Sequence, residues 1–264
     1  MSGFSADWLA LREEADSRSR SGKVLAAARA RFVDASEISI CDLGSGTGVS
    51  VESFTGLFPP RQRWRLVDID ADNLQRARVR NSGRDELAIE TVVHDLAAAP
   101  AIWGAGTDLV TATALFDLVS RDWLEGFVAA LAEARLPLLA TLTYDGRHVF
   151  SPEHRFDDVM HRAFDFHQTG EKSFGLALGP SACTTMIEML RAHGYEVTTG
   201  DSAWQLSAGR DGALIEELLR GWAAAVTDAG LVEKDTVDVW LKARIGCSET
   251  LLVGHTDIFA VPGR

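Results

Sequence analysis

Three glycines at alternate positions, Gly44, Gly46 and Gly48, follow an apolar, β-branched run in the stretch Ile38 to Val51, ISICDLGSGTGVSV. Glycine carries no Cβ and tolerates positive φ, so such a loop turns sharply and lets backbone lie against a ligand. Asp42 stands two residues before the first glycine, and the residues from Val49 onward suit the start of a helix. Strand, glycine loop and helix in succession serve several nucleotide sites, and spacing separates them. A phosphate-binding loop needs Lys followed by Ser or Thr after its glycines, and no such pair follows Gly48. The dinucleotide fingerprint runs G-x-G-x-x-G, whereas this loop runs G-x-G-x-G. Two further acids sit at the ends of later apolar runs, Asp68 in WRLVDIDAD and Asp95 in VVHDL. A fourth run, DLVTATAL, carries Thr113 near its end.

Holding these groups together requires a sheet. Apolar periodicity places strands over 38–43, 64–69, 89–94, 109–114 and 136–144, with helices over 49–57, 72–81 and 121–134 between them. Pro59-Pro60 stops the first of these helices, Asp72 is placed to cap the second, Gly83 follows its end, and a loop with Pro100 precedes the fourth strand. Such alternation implies a doubly wound, mostly parallel α/β sheet with ligands at the carboxyl ends of its strands. Beyond it come a helix over 181–193, with Ser181 as cap and Gly194 as stop, strand pieces over 195–198 and 204–207, and an amphipathic helix over 213–229. A last strand over 250–260 contains Gly254-His255, which suggests a bulge or a close contact.

In this order the marks DLGSGTG, WRLVDIDAD, VVHDL and DLVTATAL resemble those of the class I S-adenosylmethionine-dependent methyltransferases. The resemblance implies a Rossmann-like sheet of seven strands, the last antiparallel, with helical lid insertions, and S-adenosylmethionine as cofactor. It implies that Asp42, Gly44, Ser45, Gly46, Thr47 and Gly48 wrap the methionine and ribose portion. It assigns Asp68 to the ribose hydroxyls, with Ile69 beside it and Asp70 as substitute. It assigns Asp95 to the adenine amino group and the Leu96 amide to the ring, and it turns the end of the fourth strand, with Thr113, toward the methyl group. An N-terminal cover, 1–36, lies over the cofactor in similar enzymes, where Arg12, Arg18 or Arg20 pairs with the methionine carboxylate; Arg20 is taken for the role.

Composition bounds the rest. A chain of 264 residues, 46% hydrophobic, is long enough for one α/β domain with elaborations. A formal net charge of −12 argues against nucleic acid as the acceptor, and no N-P-P-Y follows the fourth strand, as it does in nucleic-acid amine methylases. Three scattered cysteines, Cys41, Cys183 and Cys247, give neither a disulfide framework nor a metal spacing and fit the cytoplasm. No signal-like or membrane-spanning run is present.

The segment 145–180 reads as a substrate lid: His148, His154, His161 and His167 alternate with acids and phenylalanines and give few regular runs. His154 with Asp158 and His161 with Asp165 have helical spacing compatible with a metal, but nothing resembles H-E-x-x-H and no metal is expected. Methyl transfer asks the protein to align a nucleophile and manage one proton. The candidates are His167 and Asp117, then Tyr144 and His161. The segment 211–246 is a second cover or a homodimer surface. A small-molecule methyltransferase is the leading expectation; a non-catalytic cofactor-binding protein and a protein methyltransferase are the alternatives.

Overall fold

An apolar run buried from both sides makes the centre of the sheet, β1 (Glu37–Leu43). The chain is described here from a computed structural model covering residues 5–99 and 101–263. Pro100 and the first four residues of the expected cover lie outside the described residues. β2 (Arg61–Asp68), β3 (Leu87–Val93), β4 (Leu109–Thr113) and β5 (Leu138–Ser151) join β1 in parallel. β8 (Tyr195–Asp201), β9 (Trp204–Ser207) and β10 (Thr250–Pro262) complete it, β10 running antiparallel to β5, β8 and β9. The order is β3-β2-β1-β4-β5-β10-β8, with β9 beside β10, so the expected seven-stranded path is present with one added strand. The order reverses at β1, between β2 and β4, which places a crevice at the carboxyl ends of these strands. A separate hairpin pairs β6 (Glu171–Lys172) with β7 (Gly175–Leu176).

The N-terminal segment forms two helices, α1 (Ala6–Ser19), capped by Ser5, and α2 (Gly22–Arg31). α3 (Val49–Thr55) leaves the glycine loop, and α4 (Ala71–Arg80) follows β2. Its cap is Asp70, whose carboxylate accepts the amides of Asp72 and Asn73; Asp72, expected as the cap, stands in the first turn, two residues past it. α5 (Arg121–Glu133) is capped by Ser120. Helices on both faces bury two cores: Ile38, Ile40, Phe54 and Trp64 with α2, α3 and α4, and Leu43, Phe116, Phe127 and Leu138 with α5.

The lid is more regular than the sequence reading expects. β5 continues seven residues past Tyr144 because β10 pairs with it along that length, down to Thr250 opposite Ser151. α6 (Asp157–Gln168) follows, and α7 (Ala182–Ala192), whose Ser181 bonds back to the Leu178 carbonyl rather than capping the helix. α8 (Ala208–Ala229), kinked at Asp211, begins earlier than expected, and α9 (Lys234–Arg244) precedes β10. The apolar face of α8 packs with Phe150, Met160, Trp204 and Trp240 into a third core, so the segments 145–180 and 211–246 bury one another. A buried ion pair fastens them: Arg244 bonds Asp157, which also accepts the Trp240 indole N–H at 2.8 Å. Gly254 answers to both expectations, a register shift between Val253 and His255 and a close approach in which a Cβ would lie 2.1 Å from Asp145 Oδ1. No helix among the described residues is long and apolar enough to cross a membrane.

Candidate functional site

A cavity of about 460 Å³ opens at the carboxyl ends of β1, β2 and β4. Its floor is the glycine loop, in which Gly44 (φ 65°) and Gly46 (φ 51°) adopt the left-handed conformation that the spacing suggests. The Gly46 amide donates to Asp68 Oδ2 at 2.7 Å and the Asp70 amide donates to Asp68 Oδ1 at 2.9 Å. Asp68 thus ties the loop to the end of β2 while its oxygens retain further accepting capacity toward the cavity. Burial pushes its carboxyl above the usual range, and the backbone amides of Asp70 and Gly46 oppose that shift.

α1 and the turn into α2 make the roof. Leu9, Arg12, Glu13, Asp16 and Arg20 line the cavity, and a Cβ on Gly46 would sit 3.1 Å from Leu9 Cδ1, so roof and floor meet. The three arginines have different fates. Arg12 donates to Asp16 Oδ2 at 2.9 Å and lies over the Trp204 ring, whose indole N–H donates to Asp16 Oδ1 at 3.0 Å. Arg18 bonds Asp211 at 2.5 Å. Arg20 lies over Phe54 and donates to Ser53 Oγ at 3.2 Å, but its buried Nε has no partner, and no carboxylate among the described residues forms an ion pair with it. Burial draws its guanidinium pKa below the usual value.

The far wall comes from the ends of β3 and β4. Asp95 turns one oxygen to the Ala97 amide at 2.9 Å, and Leu96 is fixed by the Trp123 indole, which donates to its carbonyl at 2.6 Å. Phe174 of the β6–β7 hairpin packs edge-on against Trp123 and reaches the cavity beside Leu115. Thr113 stands between Thr141 Oγ1 at 2.9 Å and Ser50 Oγ at 3.5 Å.

Of the residues expected around the cofactor, Gly44, Ser45, Gly46, Thr47, Asp68, Ile69, Asp95, Leu96, Thr113 and Arg20 line this one cavity. Asp42 and Gly48 do not. Asp42 is buried beneath the loop, accepts Thr111 Oγ1 at 2.6 Å, and is pushed up to about 7 by its burial. A Cβ on Gly48 would lie 2.7 Å from Ala77 Cβ, so this glycine serves the contact of α3 with α4. Asp70 is spent on its helix cap.

The four proton-handling candidates lie off the cavity wall. Tyr144 donates to Asp165 at 2.6 Å and meets His148 Nε2 at 3.0 Å; burial, then the Asp165 bond, raises its pKa. His161 Nε2 lies 2.6 Å from the Gly146 carbonyl and 3.2 Å from Asp165, which raises its pKa. His167 faces Asp228 at 3.3 Å, with burial lowering its pKa. These three belong to the packing of α6 on β5 and α8. Asp117 differs: it precedes the cavity-lining Leu118, burial pushes it up to about 6, and its Oδ1 is shut from solvent with no partner. Gln168 and Lys172, two of the polar residues that crowd the expected lid, also line the cavity, as do Asp16 and His94, which the sequence reading does not single out.

A methyltransferase domain family matches residues 40–137, the span from β1 to the start of β5. Comparison with curated proteins gives no matching sequence. Among solved structures, a putative methyltransferase from Bacillus halodurans is similar at 13% identity, covering 92% of this chain and 100% of its own, with a TM-score of 0.56. The cyclopropane synthase MmaA2 from Mycobacterium tuberculosis is similar at 10% identity, with coverage of 98% and 94% and a TM-score of 0.53. The YcgJ protein from Bacillus subtilis is similar at 10% identity, with coverage of 91% and 98% and a TM-score of 0.52. At these identities the likeness speaks for the fold. The matched span, residues 40–137, is similar to a methyltransferase domain, and the ordered motifs and the cavity they build lie in or against that span.

Proposed function

We propose that this protein transfers the methyl group of S-adenosylmethionine to a small-molecule acceptor held in the same cavity. The observation that carries the reading is the convergence of the glycine loop, Asp68, Asp95 and the unpartnered Arg20 Nε on one cavity. Bound there, the cofactor supplies an electrophilic methyl carbon on a sulfonium sulfur. The backbone of Gly44 to Thr47 would lie along its methionine and ribose portion, and Asp68 would accept from both ribose hydroxyls. Arg20, with no carboxylate of its own, would hold the methionine carboxylate. Asp95 and the Leu96 amide would read the adenine edge, with Ile69, Leu115 and Phe174 against its faces.

The acceptor would approach along the end of β4, past Thr113 and Ala114. A roof formed by α1 and the β6–β7 hairpin favours a small molecule over a protein side chain, since a partly roofed cavity of a few hundred cubic ångströms suits a small ligand. Water exclusion and alignment would supply most of the acceleration. Asp117, behind the wall beside Leu118, is the remaining candidate to take a proton: burial pushes its carboxyl up to about 6 and one oxygen is unused, and it would have to reach the cavity to act. Three unpaired cysteines support a cytoplasmic setting. The test is calorimetric titration with S-adenosylhomocysteine, and with NAD as control. Saturable binding of S-adenosylhomocysteine alone is expected; binding of NAD alone, or of neither, would overturn the reading.

A further inference from the structure

The charges that face the cavity can be counted against one another. Arg12 is paired with Asp16, Glu13 is paired with Arg80, Asp68 is held by two backbone amides, and Asp95 accepts the Ala97 amide. Two cations are left without a carboxylate among the described residues, Arg20 and Lys172. On the proposed function, which this inference extends, Arg20 is matched by the carboxylate of the cofactor. Lys172 is left over, and nothing in the cofactor's methionine, ribose or adenine portions carries a second negative charge to meet it.

The hairpin holds this lysine in place. In EKSFGL, Lys172 ends the first strand and Ser173 and Phe174 make the turn, and these three line the cavity while Glu171 is exposed. Lys172 pairs with Gly175 and Glu171 with Leu176. The hairpin in turn is tied to the connection between β4 and α5: the Leu178 amide donates to the Val119 carbonyl at 2.8 Å, and Val119 bridges Phe174. Phe174 is wedged against Trp123. The Lys172 ammonium has only a long bond, 3.4 Å, to the His167 carbonyl. A half-buried ammonium positioned this firmly and paired this weakly is a site for an incoming anion. Gln168, at the end of α6, and Ser173 line the same part of the wall and offer neutral donors.

We infer that the methyl acceptor carries a carboxylate, and that Lys172 binds it, with Gln168 and Ser173 beside it. A single unpaired cation balances a single negative charge, which favours a carboxylate over a phosphate dianion in a chain of net charge −12. Asp117 lies close enough for its charge to interact with Lys172, yet the two form no ion pair. On this inference the nucleophilic atom of the acceptor sits away from the carboxylate that Lys172 holds.

The experiment is methyl transfer from S-adenosylmethionine to a panel of aliphatic and aromatic hydroxy and amino acids. Each is run beside its methyl ester, its primary amide and a phosphate monoester of like size. Acids are expected to be accepted, with KM at least about tenfold lower than for the matched ester and amide, the loss expected for one charge-assisted hydrogen bond. Lys172→Met should raise KM for the accepted acid by the same factor, Lys172→Arg should recover most of it, and neither should move the dissociation constant of S-adenosylhomocysteine by more than about twofold. Esters accepted as well as acids, a preference for phosphates, no acid accepted, or a Lys172→Met protein with unchanged KM would each overturn the inference. If S-adenosylhomocysteine itself failed to bind the parent, the proposed function would fall first, and the two failures are told apart by that titration.

Discussion

Replacing Asp68 tests the cofactor assignment at its most exposed point. Both carboxylate oxygens are engaged, by the Gly46 amide at 2.7 Å and by the Asp70 amide at 2.9 Å, and the same carboxylate faces the cavity. Asp68→Ala removes the acceptor for two ribose hydroxyls and frees the glycine loop from the end of β2. Hydrogen bonds to a charged group contribute about 1.5 to 3 kcal/mol each, so two of them amount to about 3 kcal/mol at the lower end. That is a loss of about a hundredfold in affinity. Asp68→Asn keeps the volume and one accepting oxygen and should fall between the parent and the alanine variant. Calorimetric titration with S-adenosylhomocysteine reads the affinity, and thermal unfolding without ligand shows that both variants fold. The two orphaned amides border a cavity that water can enter, so the melting temperature should drop by no more than a few degrees. An Asp68→Ala protein that is folded and binds within about threefold of the parent would refute the ribose assignment. The parent's affinity should also weaken in acid sooner than for an ordinary aspartate, since burial raises the pKa of Asp68 and only the ionised form is purely an acceptor.

Asp42, buried and pushed up to about 7, gives a stability prediction with a definite sign. A raised folded-state pKa means that its contribution is fully present below about pH 4, where the unfolded carboxyl is also protonated, and is lost as pH rises through about 7. Asp42→Asn should therefore gain on the parent between about pH 4 and pH 7 in urea midpoint, and an equal difference at both ends would contradict the assigned cause. Arg244, with a side chain only 3% exposed, is paired to Asp157 across the lid. Arg244→Met should cost about 3 to 5 kcal/mol in urea unfolding by stranding that carboxylate, and a cost under about 1 kcal/mol would show that the pair does not fasten α9 to α6.

Much of the fold was legible because its signals are local. The β1 run, the glycine loop and the acids at strand ends are written within a few residues of one another, and an alternation of strand and helix leaves few ways to assemble a parallel sheet. Even the close contact at Gly254 was visible as a glycine inside a strand pattern. The cap of α4 was misplaced by two residues because Asp70 and Asp72 are chemically identical, and only backbone dihedrals decide which one stands outside the helix.

The acceptor side was not legible in the same way. Its residue types crowd the segment 145–180, but the sequence could not say which of them face inward. β10 draws 145–151 into β5, and α8 covers α6, so Tyr144, His148 and His161 are consumed by one another and by Asp165. Lys172 and Phe174 reach the cavity because a two-residue strand pairing and a bridge to Val119 orient them. The sequence by itself determined the sheet, its glycine loop and most of the set that lines the cavity at the strand ends, since those depend on short-range order and on strand ends that share one edge. Tertiary structure decided which arginine is unpaired and which lid residues line the cavity, because pairing depends on partners far apart in the chain, such as Arg18 with Asp211 and Arg244 with Asp157.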